Sequence, residues 1–161
     1  GAYKAINDTT VTDAPTAAAI DPTGAKAVVC WESNSDQRCS VVEYATLAGG
    51  KDFLPYGPNA NAGRKRSPAV AFPDKDHFVV AYTTNDGDVD HFGKAIQNQV
   101  IELTGTRIKE RFSPHRIGEE QQNHPFLVSM GNGTYWTGWR TAGDVDGDGE
   151  AVYFRIYDVM K

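Results

Sequence analysis

Three copies of one segment of roughly fifty residues occupy most of the chain, and this repetition limits the fold more than any other feature. Each copy begins near a proline, and Pro15, Pro68 and Pro125 are 53 and 57 residues apart. A turn and a hydrophobic run follow. The runs end on aromatic residues at one repeat position, Trp31, Tyr82 and Trp139. Repeats of this size bury a face only by stacking on their neighbours, which favours a repeat architecture.

Short runs of alternating apolar and polar residues predict β-strands throughout the repeat. Turn signals rich in Gly, Pro and Asp separate the runs, and we find no convincing amphipathic helix. A third strand follows a polar loop in each copy. Fourth strands are predicted at 49–54 and 107–112, and residues 2–7 are predicted to complete the last copy. The chain is therefore predicted to be all-β.

The repeat boundaries predict one domain, 1–161, made of three four-stranded units. The units span about 13–66, 67–122 and 123–161, with 1–12 as the closing strand of the last unit. We interpret them as three blades of a β-propeller. The alternative is a β-trefoil, which also has three repeats of four strands and fits a chain of this length.

The last copy carries most of the residues of a known repeat pattern. It keeps 121–125, the run that ends at Trp139, the acidic loop 144–149 and an aromatic pair at 153–154. The middle copy keeps fewer of these residues, and the first copy has cysteines in place of the Gly-rich loop. The pattern resembles the β-propeller-type repeats of bacterial secreted and surface proteins. The resemblance implies propeller blades, a secreted or cell-surface location and, often, bound calcium.

Three blades do not close a propeller ring comfortably, since known propellers usually have four to eight. One solution is a dimer of two chains that forms six blades and exchanges the N-terminal strands. The other is that the sequence belongs to a longer protein.

An acidic loop in the last copy is the clearest candidate for a metal site. Carboxylates at alternate positions of a tight loop can converge on Ca²⁺, which prefers oxygen ligands. The predicted ligands are Asp144, Asp146, Asp148 and Glu150, and a weaker set in the middle copy is Asp86, Asp88 and Asp90. The alternative is an Asp-Gly turn chosen for its backbone geometry alone. Calcium is expected to stiffen hairpins and not to take part in catalysis.

Aromatic residues in the last copy are candidates for ligand binding. The recurring position of Trp139 favours packing between repeats, whereas Trp136 is predicted on the opposite face because side chains alternate along a strand. Trp136 is thus the better candidate for an exposed, sugar-stacking ring, with Tyr135 and Trp139 as weaker ones.

Cys30 and Cys39 flank a predicted hairpin loop, where antiparallel strands bring such a pair within bonding distance. A disulfide would indicate an oxidising compartment. The alternative is two reduced thiols.

Charge and motifs limit the remaining function classes. The net charge of −5 argues against nucleic-acid binding, and no apolar run is long enough to cross a membrane. The one basic run, 64–66, is interpreted as a solvated loop. No catalytic motif is found, so no catalytic residue is assigned.

We therefore expect an extracellular, lectin-like or adhesive domain that binds carbohydrate or another surface ligand and self-associates. The alternatives are a structural or filament-forming protein and a glycan-degrading propeller enzyme.

Overall fold

The computed structural model describes residues 14–34, 36–50, 52–57, 63–85, 93–115, 121–142 and 149–160. These residues form three separate antiparallel sheets and no helix, which confirms the all-β prediction. No helix long and apolar enough to cross a membrane occurs in this part of the chain. The three sheets do not close into a barrel within the described ranges. The closing strand predicted at 2–7 lies outside them.

Each sheet contains one copy of the repeat, with its strands paired in sequence order. The first sheet consists of β1 (Ala14–Ile20), β2 (Lys26–Ser33), β3 (Asp36–Glu43) and β4 (Ala48–Gly49). The second consists of β5 (Lys65–Ala71), β6 (His77–Thr84) and β7 (Ala95–Glu102). The third consists of β8 (Gln121–Gly131), β9 (Thr134–Ala142) and β10 (Glu150–Asp158).

The repeated proline lies in a β-bulge of the first strand in every sheet. In the second sheet Arg66 pairs with Thr83 and Ala69 with Ala81, so β5 has one residue more than β6 around Pro68. Proline has no N–H to donate to a ladder, and a bulge leaves a residue unpaired, so the two features suit each other. The other bulges lie between Ala14 and Ala17 and between Asn123 and Phe126.

The fourth strands predicted from the sequence are largely absent as continuous strands. The second sheet has three strands. The segment 107–112 pairs with β7 only at two isolated bridges, from Arg107 to Ile101 and from Phe112 to Asn98. Arg107 and Phe112 are five positions apart in the chain but their partners are only three positions apart, so an unbroken ladder cannot form. In the first sheet, β4 is two residues long and one further bridge joins Phe53 to β3.

The sheets stack face to face in sequence order. We call the face of a sheet that points to the preceding copy its leading face, and the opposite face its following face. The following face of the first sheet packs on the leading face of the second. That junction contains Val28, Cys30 and Cys39 from the first sheet and Phe78, Val80 and Tyr82 from the second.

The second junction repeats the arrangement with the next two sheets. Val79 and Val100, on the following face of the second sheet, pack with Tyr135 on the leading face of the third. The first strands of the three sheets also lie side by side, β1 next to β5 and β5 next to β8. Corresponding faces therefore meet at both junctions.

Aspartates order the turn between the first two strands in the first and second copies. Asp21 accepts hydrogen bonds from the Thr23 hydroxyl (2.8 Å) and the Ala25 N–H (3.1 Å). Asp74 accepts from the backbone N–H of His77 (2.8 Å) and contacts its ring nitrogen (2.9 Å). Burial raises the pKa of each carboxyl, but these hydrogen bonds outweigh it, so both pKa values lie below the ordinary value.

The disulfide prediction concerns Cys30 and Cys39, which face each other across β2 and β3 with sulfur atoms 2.12 Å apart. Replacing both with alanine should lower the free energy of unfolding by about 2.5 kcal/mol, because the closed loop restricts the unfolded chain. Urea unfolding measures the change, and the unaltered chain in reductant is the control. Equal urea midpoints for the oxidised parent chain and the double-alanine variant would contradict this expectation.

The lowered pKa values of Asp21 and Asp74 predict that the free energy of unfolding decreases in acid. A carboxyl whose pKa is lowered by folding stabilises the protein above the unfolded value of about 3.9, and this contribution is lost as the pH falls through the folded value. The double variant D21N/D74N should therefore lose less stability than the parent chain between about pH 5 and pH 2.5. Urea unfolding across that range tests it, with D76N, at an exposed neighbour, as the control. If the free energy of unfolding of the double variant falls with pH as steeply as that of the parent chain, the prediction is wrong.

Candidate functional site

The acidic loops predicted to hold calcium lie mostly outside the described residues. This applies to Asp144, Asp146 and Asp148 and to the weaker set, Asp86, Asp88 and Asp90. Glu150 is described, and its carboxylate accepts a hydrogen bond from the Arg140 guanidinium on the neighbouring strand. No group of three or more His, Cys, Asp or Glu side chains that could hold a metal occurs within the described ranges. Glu150 is the one predicted ligand in the described part of the chain, so calcium remains a prediction.

Tyr135 and Trp139 lie on the leading face of the third sheet and are buried there, with 1% and 4% of their surface exposed. Tyr135 stacks on Tyr157 with ring centroids 5.8 Å apart, and Trp139 lies 6.3 Å from the ring of His115. Burial raises the pKa of the Tyr135 hydroxyl. Both rings therefore contribute to packing between the second and third sheets, and neither offers a flat face to a ligand.

Trp136 lies on the opposite, following face of the same sheet. Its ring stacks on Phe154, with centroids 5.0 Å apart and planes inclined by 10°. Trp136 is partly exposed and Phe154 is 55% exposed. Of the three aromatic candidates, only Trp136 presents ring surface to solvent.

The cysteine pair lies inside the first junction. Cys30 and Cys39 are fully buried against the second sheet, and they belong to the same hydrophobic cluster as Phe78. This position suits a structural cross-link, because a redox-active disulfide needs access to a thiol partner.

Sequence reasoning missed a small cleft between polar and charged residues at one end of the second sheet, which we call the rim cleft. Its volume is about 100 Å³. The residues that line it are Arg64, Arg66, Thr83, Thr84, Asn85 and Lys94. They come from the start of β5, the end of β6 and the residue before β7, so rigid strand ends position most of them.

A buried carboxylate anchors the two arginines of the rim cleft. Glu32, at the end of β2, accepts from Arg64 Nη2 at 2.8 Å and from Arg64 Nε at 3.1 Å, and Arg66 Nε lies 3.8 Å away. Lys94 is exposed at the mouth of the cleft. With three cations and one carboxylate, the described part of the cleft carries net positive charge although the chain is acidic. The buried hydroxyl of Thr83 has no hydrogen-bond partner among the described atoms.

The basic run 64–66 is therefore not simply a solvated loop, and that interpretation is wrong for Lys65. β5 begins at Lys65, whose side chain is buried with its ammonium 4.6 Å from the centre of the Tyr56 ring. Its Nζ also donates to the Gly63 carbonyl at 2.6 Å. The sequence did contain a signal for this. Side chains alternate along a strand, so a strand through this run places Arg64 and Arg66 on the side opposite Lys65.

Comparisons with known proteins add little to this description. No family model matches the chain, and no curated protein matches it. A solved structure described as Kluyveromyces lactis Hsv2 is similar with 10% sequence identity and a TM-score of 0.40. The match covers 88% of this chain and 46% of that one, so the chain spans less than half of that protein's length. A likeness this weak carries no inference about function.

Proposed function

We propose that the chain is a non-catalytic, extracellular binding domain made of β-propeller-type blades. Its ligand is a carbohydrate or another cell-surface molecule, and calcium has a structural role in the acidic loops. The observation that carries the proposal is the rim cleft, where hydrogen-bond donors and positive charge gather on strand ends. Sites on a rigid scaffold of this kind favour binding because little ordering is required of the protein.

The blade arrangement is supported by the way the sheets stack. Each sheet is a meander in sequence order, corresponding faces meet at both junctions, and the three first strands are neighbours. Radial repetition of such sheets is the organisation of a propeller.

The chemistry of the rim cleft favours an acidic ligand. Arg66 presents a guanidinium group, which can form strong paired hydrogen bonds to carboxylate and sulfate oxygens, whereas Nε and Nη2 of Arg64 already donate to Glu32. Lys94 adds a third cation at the mouth. Within the carbohydrate class, we therefore favour sugars that carry carboxylate or sulfate groups over neutral ones.

An extracellular location is supported by the buried disulfide. Disulfides form and persist in oxidising compartments and are rare where thiols are kept reduced. The second candidate function is assembly through repeats, which is favoured by the apolar following face of the third sheet, where Val152, Phe154 and Ile156 are 68%, 55% and 55% exposed.

Binding at the rim cleft predicts a preference for acidic glycans that depends on its cations. On an array of neutral and acidic glycans, the parent chain should bind acidic members, and R66Q/K94Q should bind at least about tenfold more weakly because two charge-assisted contacts are lost. Binding should also weaken as salt is raised, since exposed charges are screened.

K75Q provides a matched control for that array. Lys75 is an exposed lysine in the turn at the opposite end of the second sheet. The K75Q variant should therefore bind acidic glycans like the parent chain. The proposed site is refuted if the parent chain binds no acidic glycan, either in calcium or in chelator. It is also refuted if R66Q/K94Q and K75Q bind acidic glycans equally well.

Calcium binding by the acidic loop predicts a stability change that needs no ligand. Calcium at about one hundred times its dissociation constant should stabilise the folded chain by about 2.7 kcal/mol, and so raise its melting temperature by several degrees. Chelator should remove the gain, and D144N/D146N should not show it. Magnesium is the control ion, and a melting curve indifferent to calcium would contradict the structural role.

A further inference from the structure

Two cations that line the rim cleft, Arg66 and Lys94, have no acidic partner of their own among the described residues. Arg66 Nε lies 3.8 Å from Glu32 Oε1, too far for a hydrogen bond, and that oxygen already accepts from Arg64. The Lys94 side chain is exposed and makes no hydrogen bond or ion pair within this part of the chain. Other surface cations do pair with an aspartate or glutamate, namely Lys26, Arg38, Lys75 and Arg140.

Backbone hydrogen bonds hold the segments that carry these two cations. Arg66 lies within β5, and just before that strand the Arg64 carbonyl accepts from the Asn85 N–H at 3.3 Å. The Lys94 carbonyl accepts from the Gln122 N–H at 2.8 Å, which ties the start of β7 to the third sheet. A ligand therefore meets both charges on a backbone that is already ordered, and binding costs little further ordering.

The volume of the rim cleft limits what can enter it. At about 100 Å³ the cleft is well below the roughly 300 to 1,000 Å³ of clefts that enclose a drug-sized ligand. One small group with a few oxygen atoms fits, whereas the ring that carries it stays outside. Guanidinium and ammonium donors suit such a group when it is an oxyanion, because hydrogen bonds between charged partners are the strong ones.

We propose that the rim cleft is an oxyanion site that recognises a single sulfate or carboxylate group and not the sugar ring that bears it. Arg66 donates paired hydrogen bonds to two of the oxygens, and Lys94 supplies a second positive charge. Arg64, held by Glu32, is a fixed part of the wall. The inference deepens the proposed function and rests on its site, but it requires no particular glycan. Free sulfate or acetate should therefore occupy the cleft.

NMR titrations of the parent chain test this directly. Sodium sulfate and sodium acetate are added separately, against sodium chloride of equal ionic strength, with chelator present so that calcium takes no part. We expect the signals of Arg66, Thr84 and Lys94 to shift and to saturate with at least one of the two anions. Saturation with sulfate identifies sulfate esters as the source of the group, and saturation with acetate identifies sugar carboxylates. Shifts that follow chloride for both anions would overturn the proposal.

Variants and a neutral sugar supply the controls. R66Q/K94Q should bind the saturating anion at least about tenfold more weakly, because two charge-assisted contacts are lost, whereas K75Q should bind it like the parent chain. Circular dichroism checks that each variant is folded. Glucose should not saturate the signals of the cleft. Equal affinity of R66Q/K94Q and the parent chain, or saturation by glucose, would show that the site does not recognise an oxyanion alone.

Failure of this inference and failure of the proposed function give different results. If free anions saturate the cleft while the array shows no bound glycan, the oxyanion site stands and the glycan function is wrong. If acidic glycans bind through Arg66 and Lys94 while neither anion saturates the cleft, the inference is wrong, because recognition then needs the sugar.

Discussion

Every sheet in the described part of this chain buries one face against a neighbouring copy of the repeat. A repeat of this size buries its apolar face only against a neighbouring copy, so its stability comes largely from the junction. At the first junction, Val28 and the buried disulfide meet the rings of Phe78 and Tyr82. At the second, Val79 and Val100 meet Tyr135. The rim cleft depends on this stacking, because Glu32 of the first sheet anchors Arg64 beside the second sheet.

Much of this architecture could be predicted from the sequence, because repetition and alternation are local signals. The recurring aromatic position predicted that Trp139 packs between repeats and that Trp136 points the other way, and both side chains lie as expected. The fourth strands could not be predicted in detail. The two residues by which 107–112 exceeds its partner segment leave the apolar pattern intact while breaking the ladder. Pattern alone cannot distinguish a strand from a segment that touches a sheet at two points.

The candidate sites were less predictable, for a related reason. The rim cleft joins Glu32 to Arg64, which are 32 residues apart, and adds Lys94 from a third strand end. None of these residues belongs to a recognisable motif, and only the topology brings them together. The acidic loop has the opposite character: its residues are adjacent in the chain and its chemistry is evident, so it is identified without a structure. The basic run 64–66 was only partly predictable. The Gly- and Asn-rich sequence before it indicated a loop, whereas a strand begins at Lys65.

The placement of the disulfide also bears on how such a chain reaches its fold. Three alike hairpins offer wrong partners to one another, and mispairing between copies is a characteristic hazard of repeat proteins. Only the first copy carries cysteines, and they join β2 to β3 at directly opposed positions. Once oxidised, this hairpin can no longer exchange a strand with the second or third copy. The first copy therefore keeps its own pairing of β2 with β3, whichever strands the other two copies offer to it.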